Sequence, residues 1–217
     1  MTQAQIIKKT ADFVKKQTLG ENTGHDWWHI YRVWQNAKKI GRQEKADMLV
    51  VELAALLHDI ADYKFHGGDN TKGAKVASAW LTKIKADKNT IKHVADIIES
   101  ITFKGAGIKD KIKTKEGQIV ADADRIDTLG AIGIARTFAT GAKLNRPIYD
   151  PRVKPTLHKS FKQYKKHQSD SINHFYEKLL LLKGRMNTKA GKKMAIERHQ
   201  YMEKYLARFF KEWGGKL

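Results

Sequence analysis

The chain has 217 residues, 41% hydrophobic and 30% charged, which allows one core-forming domain or one domain with a sizeable extension. It has no cysteine, so disulfides, thiolate zinc sites and cysteine nucleophiles are excluded, and any metal must be held by His and carboxylate. The formal net charge is +19, unevenly spread: residues 1–150 carry 25 Lys and Arg against 18 Asp and Glu, and residues 151–217 carry 17 against 5. Such a field attracts polyanions, whether nucleotides, nucleic acid or an anionic membrane surface, and a solubilising basic surface would account for it equally well. No run approaches the length of a membrane span and the N-terminus lacks the apolar segment of a secretory signal, which points to a cytoplasmic protein with no membrane partner.

Residues 3–18 have the spacing of an amphipathic helix with Ile6, Ile7, Thr10, Phe13 and Val14 inward. Residues 18–24 are polar and contain two glycines, as a loop does. In the next helix Trp27, Ile30, Tyr31 and Trp34 form an apolar face that reads as core, and His29, Arg32, Val33 and Asn36 form the neighbouring one. Asp26 is placed to cap this helix, and Asp47 to cap the one after it.

The helix after Asp47 is the richest stretch. Leu49, Leu53, Leu56, Leu57 and Ile60 recur at three- and four-residue steps, while Val51, Ala55, His58 and Asp62 make a second stripe with Asp59 beside it. Its last turns therefore bring an imidazole and two carboxylates to one side. Burying an adjacent His-Asp pair is costly unless something offsets it, and a divalent metal binds neutral imidazole and carboxylate together. A glycine-containing loop follows, with Lys64 as a candidate phosphate partner and His66 and Asp69 nearby.

Two more helices are expected. Residues 71–85 place Ala74, Ala77, Trp80, Leu81 and Ile84 inward, and residues 90–103 place Ile91, Val94, Ala95, Ile98 and Ile101 inward. Ile97 and His93 fall toward another side, His93 as an exposed helix histidine. The basic, glycine-bearing loop from Lys104 to Lys109 is a weak phosphate-cradle signal. Residues 117–136 read as one helix packing through Ile119, Ile126, Leu129 and Gly133, with Asp124, Asp127 and Thr128 on another side. Asp122 reads as a surface or salt-bridged residue. Pro147, Pro151 and Pro155 mark an ordered, non-helical excursion. Two long amphipathic helices close the chain: 157–182, burying Leu157, Phe161, Tyr164, Ile172, Phe175, Leu179 and Leu182, and 188–213, burying Met194, Tyr201, Tyr205, Phe209 and Trp213. No strand-like alternation occurs, so the fold class is all-α.

Taken together, His29, His58-Asp59 and Asp124 come from three helices and offer two imidazoles and two carboxylates, a donor set for a first-row divalent metal. Such a site leaves positions for water and a phosphoryl oxygen. The arrangement resembles the HD-domain superfamily of metal-dependent phosphohydrolases, whose pattern is His…His-Asp…Asp. Here His29 stands in His-Ile-Tyr-Arg-Val, His58-Asp59 in Leu-Leu-His-Asp-Ile-Ala-Asp, and Asp124 in Ala-Asp-Ala-Asp-Arg-Ile-Asp. Gly24-His-Asp-Trp-Trp-His, Ile101-Thr-Phe-Lys104, the glycine-bearing run from Asp124 and Pro-Ile-Tyr-Asp-Pro look like a bacterial HD subgroup. Some members of that subgroup split (deoxy)nucleoside triphosphates into monophosphate and pyrophosphate using Mn²⁺.

The resemblance implies an HD-domain helical core over residues 1–150, with a basic helical extension over 151–217 packed on it. It implies His29, His58, Asp59 and Asp124 as ligands of one divalent ion, Mn²⁺ first, with Mg²⁺, Co²⁺, Ni²⁺, Fe²⁺ or Zn²⁺ as alternatives. Asp62 falls where some members orient or deprotonate the attacking water, with Asp127 a second candidate. Arg32, Lys64, Lys104 and Arg136 are the expected triphosphate contacts, because the leaving pyrophosphate needs its charge neutralised. A nucleotide monophosphatase or guanosine polyphosphate hydrolase would use the same site. A reading of another class is a basic nucleic-acid-binding or regulatory protein with a vestigial site. A nucleotide is the expected small-molecule partner, and an oligomer is compatible with the sequence.

Overall fold

A computed structural model describes residues 1–20, 26–60, 72–101, 112–157 and 169–216. Every regular element among them is helical, so the fold is all-α as expected. The helices are α1 (Gln3–Gln17), α2 (Trp27–Glu44), α3 (Met48–Leu57), α4 (Lys72–Lys83), α5 (Lys88–Ser100), α6 (Lys115–Asp127), α7 (Gly130–Lys143), α8 (Ser171–Glu177) and α9 (Lys189–Trp213), with a 3₁₀ segment at Leu179–Arg185. The described residues cluster into two units, one formed by residues up to 101 with 112–124, the other by residues 125–216. No helix among them is long and apolar enough to cross a membrane.

The first unit is built round α3. Val50, Val51, Leu53, Ala54, Ala55, Leu56 and Leu57 are all buried, and a helix apolar on every side belongs in the middle of a bundle. The Asp47 carboxylate starts it by accepting from the Leu49 and Val50 amides, at 3.0 and 3.3 Å. Helices α1, α2 and α5 pack on α3, and α4 packs on α5. Phe13 of α1 does not enter the core; it stacks on Trp80 of α4 with centroids 4.0 Å apart, while Trp80 Nε1 donates to Thr10 Oγ1 at 3.0 Å. On α5, Ile97 is core alongside Val94 and Ile98, not on a separate side.

Helix α2 corrects a larger expectation. Its core stripe is His29, Ile30, Val33, Ala37, Ile40 and Gly41. The tryptophans are outside it: Trp28 is 60% exposed and Tyr31 is exposed, with Trp27 and Trp34 half-buried. The reason lies in the length of the helix. Over two turns both stripes are apolar, but the aromatic one runs on into Lys38 and Arg42, whereas Ile30 and Val33 continue in phase to Ile40 and Gly41. Only the second stripe can stay against α3 along the whole helix. Trp34 then lies across the α2–α3 seam, its Nε1 donating to Glu52 Oε2 at 2.8 Å.

In the second unit, the single helix expected over 117–136 is broken into α6 and α7 at Thr128–Leu129. The Thr128 hydroxyl folds back onto the Arg125 carbonyl at 2.6 Å, and Gly130 adopts φ +72°, a conformation that costs little only without a Cβ. At Gly133 a Cβ would stand 2.1 Å from the Thr128 carbonyl oxygen. The two glycines permit the tight reversal between the helices.

The proline segment is ordered and non-helical, as expected, because it is bonded to α8. The Ser171 and Ile172 amides donate to the Pro147 and Ile148 carbonyls at 2.9 and 3.0 Å. The Asp170 carboxylate accepts from the Asn173 amide at 2.6 Å and the Asp150 amide at 3.1 Å. That cap makes Ser171 the first residue of α8, so Ser169 and Asp170 do not continue the long helix expected over 157–182. Leu157 is exposed rather than buried, and Phe161 and Tyr164 lie outside the described residues. Helix α9 packs on α7 and on the 3₁₀ segment through Ala195, His199, Met202 and Leu206, while Tyr201 and Trp213 are exposed, contrary to expectation. The aromatics of α9 instead grip the proline segment, with Tyr149 edge-on to Phe210 and Trp213 at 5.4 and 5.1 Å.

Replacing Gly133 by Ala drives a methyl into backbone that cannot yield. Gly133→Ala is expected to lower stability by about 1–3 kcal/mol in a denaturant titration. Gly184→Ala, where the added Cβ meets nothing within 4 Å, is the near-neutral control.

Candidate metal centre

His29 stands in the first turn of α2, where the Asp26 carboxylate accepts from its amide at 2.8 Å and fixes the start of the helix. The ring lies on the core stripe of α2 and the residue is only 1% exposed. His58 directly follows α3 with helical backbone angles. Its Nδ1 lies 2.8 Å from the Ala55 carbonyl oxygen. Donation from Nδ1–H to that carbonyl leaves the Nε2 lone pair directed away from the helix, the tautomer a metal requires. Asp59 follows at once, and Asp124 lies in the last turn of α6.

Four side-chain atoms meet here. His29 Nε2 and His58 Nε2 are 3.3 Å apart. Asp59 Oδ2 lies 3.3 Å from His29 Nε2 and 3.7 Å from His58 Nε2. Asp124 Oδ1 lies 3.6 and 3.9 Å from the same two nitrogens. Ligands about 2.1 Å from one ion stand about 3.0–3.4 Å apart at octahedral or tetrahedral angles, so the separations among His29, His58 and Asp59 suit a first-row divalent ion after small adjustments, while Asp124 stands farther out. His29, His58 and Asp59 alone offer three donor atoms within 4.8 Å of one another. The side chains of the two histidines are 1% and 3% exposed, Asp59 is 15% and Asp124 is 36%, so the donor set opens to solvent on its carboxylate side. Nucleophilic water and an anionic ligand would enter there.

The remaining expected residues fall differently. Asp62, Lys64, His66, Asp69 and Lys104 lie outside the described residues. Arg32 is half-buried on α2, one turn after His29 and so on the same side of the helix. Asp127 and Arg136 are brought to each other. Asp127 is fully buried, and Arg136 Nη1 donates to its carboxylate at 3.1 Å and its carbonyl at 3.4 Å. Asp122 is fully buried too, so of its two expected settings, surface or salt-bridged, the surface one is overturned. His93 is not freely exposed: its Nε2 lies 3.8 Å from Glu116 Oε2, and Glu116 also accepts from the Asp47 amide at 3.1 Å. Two groups had escaped notice. The Ala55 carbonyl, which sets the His58 tautomer, could have been found from its place one turn before His58. Arg198, whose Nη1 donates to the Ile126 carbonyl at 2.6 Å, has no local signal, because 72 residues separate the pair.

The HD domain family matches residues 27–129, a span that contains His29, His58, Asp59 and Asp124. The Bacillus subtilis protein YpgQ is 31% identical over 218 residues, covering 99% of this chain and 97% of its own length. A crystal structure of YpgQ in complex with ADP superposes with a TM-score of 0.77 at 30% identity, covering 98% of this chain and 97% of that one. A crystal structure of an HD-superfamily hydrolase from Bacillus thuringiensis is 41% identical, with a TM-score of 0.76 over 98% of this chain and 99% of that one. A Lactobacillus plantarum crystal structure reaches a TM-score of 0.88 at 29% identity, over 99% of this chain and all of that one. The donor set and these full-length likenesses lead to one conclusion: the chain belongs to the HD superfamily and is a metal-dependent phosphohydrolase.

Proposed function

We propose that this hydrolase converts (deoxy)nucleoside triphosphates to monophosphate and pyrophosphate, with one Mn²⁺ held by His29, His58, Asp59 and Asp124. The observation that carries the metal set is the approach of the two Nε2 atoms, 3.3 Å apart, with a carboxylate oxygen of Asp59 and of Asp124 within 4 Å of both. The mixed nitrogen and oxygen donors favour a first-row ion over Mg²⁺. A nucleotide substrate is supported by the ADP complex of YpgQ, about a third identical along its whole length, and by the basic balance of the chain. Bound metal would polarise a phosphoryl oxygen and lower the pKa of water.

In this reading the chain itself does the positioning. Asp62, three residues beyond Asp59, accepts the proton of the attacking water. Arg32, one turn from His29, meets the triphosphate, as do Lys64 and Lys104. The Asp127–Arg136 pair holds α7 to the end of α6.

A panel of nucleotides with Mn²⁺, Mg²⁺ or Co²⁺, scored for both phosphate and pyrophosphate, tests the reaction. Pyrophosphate and monophosphate in equal amounts are expected. Phosphate without pyrophosphate would overturn the assignment in favour of a monophosphatase. His58→Ala and Asp124→Ala are expected to lower kcat/KM by at least about 100-fold, several kcal/mol of lost transition-state stabilisation. Adding Mn²⁺ to chelator-treated protein at about 100 times its Kd should raise stability by about 2.7 kcal/mol, seen as a higher Tm that His58→Ala no longer shows.

A further inference from the structure

The end of α6 is held in an unusual way. A helix leaves its last carbonyls without intrahelical partners, and a glycine beyond the last turn commonly satisfies them. Here Asp127 is followed by Thr128 and Leu129, and the carbonyls are covered otherwise. The Arg125 carbonyl accepts from the Thr128 amide and hydroxyl at 3.0 and 2.6 Å, and the Ile126 carbonyl from the Leu129 amide at 3.1 Å. Two guanidiniums from distant helices do the rest. Arg198 of α9 donates from Nη1 to the Ile126 carbonyl at 2.6 Å, and Arg136 of α7 donates to the Asp127 carbonyl and carboxylate. The Arg198 stem runs over Gly130, where a Cβ would meet its Cγ at 3.1 Å, so the glycine opens the path by which the guanidinium reaches α6. Positive charge at a helix C-terminus is favourable in itself.

Asp124 stands in that same last turn. It is the donor least fixed by packing, its side chain 36% exposed against 1% for His29, and its Oδ1 is the farthest from the two imidazole nitrogens, at 3.6 and 3.9 Å. Its place is therefore set mainly by the backbone of α6. We propose that Arg198 and Arg136 are positioning residues for Asp124, acting through the last turn of α6, so that the C-terminal helix tunes how tightly the ion is held. This rests on the metal reading above. Arg198 holds the carbonyl two residues beyond Asp124, and Arg136 the one three residues beyond. Loss of either lets the last turn fray, and the carboxylate withdraws from the two imidazoles while α2 and α3 keep theirs in place.

Mn²⁺ binding by chelator-treated full-length protein, followed by electron paramagnetic resonance of the free ion, is the test, with thermal melting alongside. Arg198→Met keeps the aliphatic stem over Gly130 and removes the donor. It is expected to weaken Mn²⁺ binding about tenfold or more, the range seen when groups that orient a ligand are lost, with partial recovery in Arg198→Lys. Leu206→Ala, a core change on the same helix, should lower Tm at unchanged Mn²⁺ affinity. If Arg198→Met melts lower but binds Mn²⁺ like the parent, or if Leu206→Ala weakens binding as much, Arg198 is only a structural brace. Should Arg198→Met fail to fold, Arg198→Leu, which also removes the donor, decides: parent-like affinity refutes the proposal, weakened affinity at near-parent Tm supports it. Parent protein that binds no Mn²⁺ would instead remove the metal assignment itself, and this inference with it.

Discussion

Two imidazole nitrogens held 3.3 Å apart inside an apolar helix pair are the constraint on which the rest of the first unit depends. Two ring nitrogens at that distance can share one proton or one cation, and the carboxylates of Asp59 and Asp124 lie beside them. With neither, such a set repels itself in a poorly solvated place. With a cation, the same atoms become a coordination sphere, and the burial that made them costly makes each bond to the ion stronger. The apolar surround of α3 and the core stripe of α2 are therefore part of the chemistry. They desolvate the two nitrogens, and the Ala55 carbonyl selects which nitrogen of His58 faces the ion.

Rigidity is distributed unevenly over the donor set. His29 and His58 are fixed by burial on α2 and at the end of α3. Asp59 inherits its place from His58. Asp124 sits on a helix whose last turn has no glycine cap, and the arginines at its end supply what local sequence does not. The four side chains thus differ in how they are held, and the two carboxylates are the more exposed of them.

Charge in this chain divides between structure and function. Of the arginines, Arg125 donates to the Arg185 carbonyl at 2.5 Å, Arg198 to Ile126 and Arg136 to Asp127, so part of the positive balance is spent on satisfying buried oxygens. Their charges still count in the net +19, but their N–H groups are engaged within the fold. Arg32 lies half-buried on α2, one turn from His29.

Periodicity and caps made α1 and α3 legible from the residues alone, since Ile6, Thr10 and Val14 repeat on one face and Asp47 stands just before a run apolar on every side. His29, His58 and Asp59 were legible as residues that could share a site because, in a chain without cysteine, metal donors must be His or carboxylate, and the three do come together. Three things required the folded chain. The buried face of α2 was ambiguous over its aromatic turns and was decided by which stripe α3 could accept along the full helix. The break between α6 and α7 depends on the Thr128 carbonyl closing on Gly133, a backbone contact that side-chain periodicity does not register. The support of Asp124 comes from Arg198, 72 residues beyond the carbonyl it meets. Local sequence determines which residues can bind a metal and which segments coil, because both follow from chemistry within a turn or two. Which faces are buried, where a helix stops and what steadies a ligand belong to tertiary structure, because each depends on an atom brought from elsewhere in the chain.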